Sequence, residues 1–266
     1  MDERTRRQLL RINTEFYRAH AAGFDASRGH QPWPGWTRLL DSLPAPARSG
    51  RLRVLDVGCG NARLATFLAD AEFDLDYVGI DANAALLESA RARLREDVGE
   101  RVELIEADFL SSGLDAAKPG ASLPAGPFDL VALFGVLHHI PGVDWRDAFL
   151  IELALRLRPG GGVLAIAAWQ FAERARFDSK RVDWGEVDER EDGAIDAAKL
   201  DAGDFLLRFG SDPALPPRYC HQVADAEMDE IGERIAVAGI EMDDLDDYRA
   251  DGRDGDLNRY RVFRRR

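Results

Sequence analysis

Carboxylates and glycines recur in this chain at the ends of short apolar runs. Val54 leads into Asp56, Gly58 and Gly60 follow, and Leu64, Phe67 and Leu68 then fall at helical spacing. That order is the strand, tight bend, helix plan of a nucleotide-binding βα unit. A Cβ at the bend would block both the unusual backbone dihedrals and the close approach of a ligand to main-chain N–H groups. Asp81 ends a second run, YVGID, where such a unit presents a carboxylate to ribose hydroxyls. Asp108 follows a third run, in EADFL. Taken singly, the alternative for Asp56 and Asp81 is a helix cap, and for Asp108 the start of a turn. His138 and His139 close FDLVALFGVLHHI, and imidazole suits either a base near neutral pH or a donor to an acceptor oxygen. The alternative is one ring packed on the following helix and the other solvated.

Bringing these groups to one crevice takes an alternating α/β chain. Strands are expected near Val54, Val78, Leu104, Leu130 and Leu164, with helices between them, including NAALLESARARL with Asn83 as N-cap and a run from Trp145 to Leu157 that stops at Pro159-Gly160. The segment Lys118 to Pro127, rich in Pro, Gly and Ala, is expected to be an exposed, mobile loop. Before this core, Leu9, Leu10, Ile12, Phe16 and Tyr17 predict an amphipathic helix to about Arg18. Pro32 and Pro34 interrupt it beside Trp33 and Trp36, helix resumes through Leu39 and Leu40, and PAPARSG links to the first strand. Residues 1–50 thus form a helical cover and 51–266 the main domain. Residues of about 171–223 lose the periodicity and suit an insertion folded over the cleft. Helix returns from Ala224, followed by candidate strands around Ile240 to Leu245 and Tyr260 to Phe263.

The chain has 266 residues, 45% of them hydrophobic, and no apolar run near the roughly 18 residues a spanning helix needs. The opening MDERTRRQLLRI has no signal-peptide core, so no membrane role and a cytoplasmic location are expected. With Cys59 and Cys220 the only cysteines, neither a disulfide framework nor a zinc cluster is expected, and no metal. A net charge of −13 repels polyanions unless basic residues cluster. Two groups could do so, Arg174, Arg176, Lys180 and Arg181, and Arg259, Arg261, Arg264, Arg265 and Arg266; the alternative is a solvated face and a frayed tail.

The order of the motifs, with LRPGGGVLAIA at Leu157 after the fourth strand, resembles the Rossmann-like (class I) S-adenosylmethionine-dependent methyltransferases over about residues 52–168. Ala62 stands where that family usually has a third glycine. Dinucleotide dehydrogenases share the glycine bend but rarely carry the RPGGG turn. The resemblance implies a seven-stranded sheet with helices on both faces, completed by a final antiparallel pair. It also implies residue roles. Gly58 and Gly60 would pass under the methionine and ribose, Asp56 would orient the bend or the amino group, and Asp81, beside Ala82, would take the ribose hydroxyls. Asp108 and Phe109 would hold adenine, and the carbonyls of Phe134 and Gly135 the methionine ammonium.

Two further stretches are similar to the tRNA wobble-uridine carboxymethyl methyltransferases. One comprises Tyr17, Phe24, Ser27, Arg28, Pro32, Trp33 and Pro34, with an additional residue between Arg28 and Pro32; the other Gly203, Asp204, Arg218, Tyr219 and His221. Those enzymes esterify a uridine carboxylate. Tyr17, Arg28, His138 and His139 are then candidates for the chemistry, and Trp33, Arg218 and Tyr219 for acceptor binding, with Arg28 alternatively a buried ion pair and Trp33 a hydrophobic lid. Related eukaryotic enzymes work with a small zinc-containing activator subunit. A methyltransferase for a small metabolite, or a non-catalytic partner keeping the fold, are the alternatives.

Overall fold

A computed structural model describes residues 1–28, 31–44, 50–97, 101–187, 193–210, 212 and 214–266, the side chains of 21–28 and 95–97 excepted. Helix α1 runs Glu3–Arg28 and α2 Gly35–Leu39, with Pro34 ahead of it. Strand and helix then alternate through β1 (Arg51–Val57), α3 (Arg63–Asp70), β2 (Asp74–Asp81), α4 (Ala84–Asp97), β3 (Val102–Glu106), α5 (Phe109–Asp115), β4 (Leu130–Phe134), α6 (Val143–Leu155) and β5 (Val163–Trp169). Next come β6 (Arg181–Val182), β7 (Asp204–Leu207), β8 (Arg218–His221), α7 (Asp225–Asp229), α8 (Ile231–Val237), β9 (Met242–Ala250) and β10 (Asn258–Arg265).

Seven strands form one sheet in the order β3-β2-β1-β4-β5-β10-β9. The first five are parallel, and β10 closes antiparallel on β5, with β9 antiparallel at the edge. Their inward residues build a core on each face: Leu55, Val57, Leu133 and Ile166 on one, Val54, Tyr77, Ala132 and Val262 on the other. This is the expected seven-stranded sheet, antiparallel pair included. The order reverses between β1 and β4, and a ligand of such a sheet sits at the carboxyl ends beside that reversal. β6, β7 and β8 make a separate antiparallel sheet within the stretch after β5.

Two local expectations change. α1 continues ten residues beyond Arg18, because the Ala-rich stretch that follows favours helix and nothing before Pro32 forbids it. Lys118 to Pro127 is not a free loop. Leu123 enters the core, and Arg156 donates to the carbonyls of Gly120 and Pro124 at 2.8 and 3.1 Å, taking up oxygens that composition alone assigns to water. Asn83 does cap α4, its Oδ1 accepting from the N–H groups of Ala85 and Leu86.

Candidate active site

A cavity of about 520 Å³ opens across the carboxyl ends of β1 to β4. Gly58, Asp81, Asp108 and Gly135 contribute one wall, and Leu10, Asn13, Thr14, Tyr17 and Arg18 of α1 the other. Gly60, Ala82, Phe109 and Phe134 also line it. The bend after β1 needs its glycine: Gly58 has φ +75°, and a Cβ there would lie 2.2 Å from Val136 Cγ2. Ala62 accepts a left-handed φ of 53° where glycine would be unstrained.

Three N–H groups of this bend are taken up within the protein. Those of Gly58 and Cys59 donate to the Ile80 carbonyl at 2.8 and 3.1 Å, and that of Gly60 to Asp81 Oδ2 at 2.8 Å. The N–H groups of Gly58, Cys59 and Gly60, which the sequence reading offered to a ligand, are therefore already engaged by the protein. Such a surface suits a neutral or cationic group and offers little to a pyrophosphate, which removes support from a dinucleotide.

Asp81 is half-buried and also accepts from the Asn83 N–H at 2.8 Å, and a carboxylate with about four acceptor sites keeps capacity for a diol. Asp108 caps α5, accepting from Ser111 N–H at 3.0 Å and Ser111 Oγ at 2.8 Å, while also facing the cavity, so cap and site are the same residue. Asp56 differs. It lies off the large cavity, at a small crevice shared with Trp33, Trp36 and Arg63, and Tyr77 donates its hydroxyl to Oδ2 at 2.6 Å. Burial pushes the Asp56 carboxyl up to about 7, although the Tyr77 bond works the other way. Trp33 lines the same crevice and covers Gly135, where a Cβ would meet its ring at 3.2 Å.

Only one of the paired histidines reaches the cavity wall. His139 follows β4, with Nε2 2.7 Å from Tyr17 Oη and Nδ1 3.0 Å from the Tyr219 carbonyl. His138 is buried against Trp169 and His139, ring centroids 5.6 and 4.2 Å away, and does not line the cavity. Tyr219 is likewise corrected as an acceptor-binding side chain. Its hydroxyl is buried and donates to Asp204 at 2.8 Å, so its main chain serves the site instead. The Arg28 side chain lies outside the described residues. Sequence reasoning missed Asn13, Thr14 and Arg18. Their spacing with Leu10 and Tyr17 along one helix face was the available signal.

Behind His139 the small sheet carries a sealed ionic cluster. His221 lies between Asp204 at 2.7 Å and Glu227 at 3.2 Å, and Arg146, 1% exposed, reaches Glu227 at 2.7 Å, His221 at 3.0 Å and Asp201 at 3.3 Å. Burial opposes charge on His221, but bonds to Asp204 and Glu227 raise its pKa. Burial also opposes charge on Glu227, yet His221 and Arg146 hold it down at about 2. Asp201, Asp204 and His221 are close enough to share a cation, and two of the three, Asp201 and His221, already meet the Arg146 guanidinium. In a second close set, His138, His139 and Cys220, burial pushes the thiol up to about 12, so it keeps its proton.

Most of the basic residues that could meet a polyanion are paired. Arg174 joins Asp256, Arg176 Asp254, Arg181 Asp178, Arg259 Asp225, Asp229 and Asp247, Arg261 Asp244, and Arg266 Asp243. Arg218 has no carboxylate partner among the described residues. It is half-buried with its guanidinium between Phe16 and Trp169, 5.4 and 4.6 Å from the ring centroids, and its buried Nε has no hydrogen-bond partner there.

Residues 55–164 match the family described as a methyltransferase domain. The chain is 28% identical over 181 residues to mouse tRNA (carboxymethyluridine(34)-5-O)-methyltransferase ALKBH8, spanning 66% of this chain and 23% of that protein. In three dimensions it resembles an S-adenosylmethionine-dependent methyltransferase of Methanosarcina mazei (TM-score 0.59, 18% identity, 89% and 98% of the two chains covered). It also resembles Synechocystis magnesium protoporphyrin IX methyltransferase with S-adenosylhomocysteine bound (TM-score 0.52, 16% identity, 95% and 86% covered). No described helix is long and apolar enough to cross a membrane.

Proposed function

We propose that this chain, a Rossmann-like methyltransferase whose methyl donor is S-adenosylmethionine, esterifies a carboxylate on its acceptor. Asp108 and Phe109 take adenine, Asp81 the ribose hydroxyls, and the space between Gly58 and Gly135 the methionine portion. The inward-turned N–H groups of the bend fit this assignment, since the donor carries a sulfonium and no phosphate there. When bound, the donor supplies an electrophilic methyl carbon that an acceptor oxygen attacks in line while the electron pair of the breaking C–S bond stays on sulfur. A carboxylate has no proton to lose, so the protein has to align it and exclude water.

Arg218 is the observation that carries the acceptor reading. In a molecule of net charge −13, a guanidinium held between two aromatic faces with no acidic partner among the described residues is poised for an anion brought from outside. Arg218 is not among the residues lining the cavity; Phe16 precedes Tyr17, which does line it, and Trp169 packs on the buried His138 behind His139. A wobble carboxymethyluridine is the acceptor named for the mouse relative, and the Arg218 and Tyr17 motifs support it here. Because most of the candidate basic residues are ion-paired, tRNA would need a cationic surface from a second protein such as an activator subunit. The same pairing favours, as a second reading, a small carboxylic acid; a methyltransferase of this fold is named for the small molecule magnesium protoporphyrin IX.

Incubation with methyl-labelled donor and separated tRNA and small-acid pools should place label in one of them as a base-labile ester. Label that survives mild alkali would overturn the carboxylate reading.

A further inference from the structure

The small sheet meets the donor cavity along one strand edge. In the order β6-β7-β8, β8 is an edge strand, and Tyr219, opposite Leu206 of β7, turns both of its main-chain groups off the sheet. Two side chains take them up. Asn13 Oδ1 accepts from the Tyr219 N–H at 2.8 Å, and His139 Nδ1 stands 3.0 Å from the Tyr219 carbonyl. Asn13 Nδ2 lies 3.3 Å from the same His139 nitrogen, so the two side chains also meet each other. Both line the cavity, Asn13 from α1 and His139 from the turn after β4. Asparagine suits a helix interior poorly, because its amide competes for backbone groups. Asn13 is 6% exposed inside α1 and directs that amide to a backbone 206 positions away. Arg218 is the next residue on β8, its Cα about 3.8 Å from that of Tyr219.

We infer that Asn13 is a positioning residue for methyl transfer: beside His139, it clips the edge of β8 to the cavity wall and so sets the distance from the donor methyl group to the Arg218 guanidinium. The inference rests on the acceptor reading of Arg218. In-line displacement depends steeply on that distance, a misplacement of about 1 Å costing on the order of 10²-fold in rate. Without the Asn13 amide the Tyr219 N–H would be buried and unsatisfied, and β8 would shift to find it a partner. Arg218 would move with its strand, while Gly58, Asp81 and Asp108 on the facing wall would not. The guanidinium would still hold a carboxylate, but out of line with the methyl group.

Two variants test this, Asn13→Leu, which matches the side chain in size and has no acceptor, and Asn13→Asp, which keeps the oxygen. S-adenosylmethionine affinity is read by calorimetry, and kcat and apparent KM with methyl-labelled donor and whichever of the tRNA and small-acid pools wild type labels. Asn13→Leu should lose about ten- to a hundredfold in kcat, with acceptor KM changed by less than about threefold and donor affinity by less than about twofold, the pattern of a bound but misaligned acceptor. Asn13→Asp should return kcat to within about threefold of wild type, because the Tyr219 N–H regains its acceptor. Retained donor affinity shows that a variant has folded; if leucine prevents folding, Asn13→Ala carries the same expectation. An unchanged kcat in the apolar variant overturns the inference, as does an aspartate variant no better than it. A fall in donor affinity as large as the fall in kcat would make Asn13 a donor contact and overturn the inference too. No base-labile ester from wild type is a separate result: it overturns the acceptor reading, and the inference with it.

Discussion

Asp81 and Asp204 each sit at the end of a strand and each accept from nearby backbone N–H groups, yet they belong to different kinds of chemistry. Asp81 holds Gly60 and Asn83 and remains half-buried beside the cavity. Asp204 accepts from the Asp201 N–H, the Tyr219 hydroxyl and His221, and its side chain is fully enclosed. Local pattern made both aspartates; the neighbours supplied by distant segments left one open to a ligand and sealed the other into the structure. The contrast extends to the regions around them. The cavity side presents acceptors to a space, whereas the small sheet closes its acids on Arg146 and His221 and leaves Arg218 outside the network.

If the small sheet is held by that sealed cluster, Arg146→Met should destabilise the protein by about 3–5 kcal/mol in denaturant unfolding, because Glu227 and Asp201 lose a buried cation. Asp81→Ala should change the same measurement by less than about 1 kcal/mol, and comparable losses would erase the distinction between the regions.

Titration sharpens the contrast, since the two sides respond to pH with opposite sign. Asp56, raised to about 7, binds its proton more tightly folded than unfolded, so its contribution to stability is full at low pH and is lost as pH climbs from the ordinary carboxylate range to about 7. Glu227, held at about 2, contributes above its ordinary range and loses that contribution as pH falls toward 2. Each effect is on the order of a few kcal/mol across its window. Unfolding free energies measured from pH 3 to 8 should lose the upper slope in Asp56→Asn and flatten at the acid end in Glu227→Gln. An Asp56→Asn profile parallel to wild type would remove Asp56 from this account.

The smallest of these effects concerns the ligand. Asp81→Ala should weaken S-adenosylmethionine binding by about 1–3 kcal/mol, the usual loss for a charged hydrogen bond. An unchanged dissociation constant would place Asp81 outside the site.

Much of the cavity wall was legible in sequence because it is built locally. A strand, a bend that only glycine tolerates and a capped helix are each specified within a few residues, so Gly58, Asp81 and Asp108 could be located before any coordinates. Which way the bend turned its N–H groups was not legible, since it depends on the Ile80 carbonyl of the neighbouring strand.

The acceptor side was named by motif and then reassigned by packing. Arg218 and Tyr219 are adjacent, but only the tertiary structure turns the Tyr219 ring inward to Asp204 while leaving Arg218 between two aromatic rings. The Tyr17–His139 contact joins residues 122 positions apart, and Asn13 meets Tyr219 across 206. Amino-acid order by itself determined the alternating architecture and the residues lining the carboxyl ends of the parallel strands, because periodicity and turn chemistry act over short range. The Tyr17–His139 contact, the pairing of the arginines and the seating of Arg218 between two rings were decided only in three dimensions, because each depends on which distant side chain stands within reach.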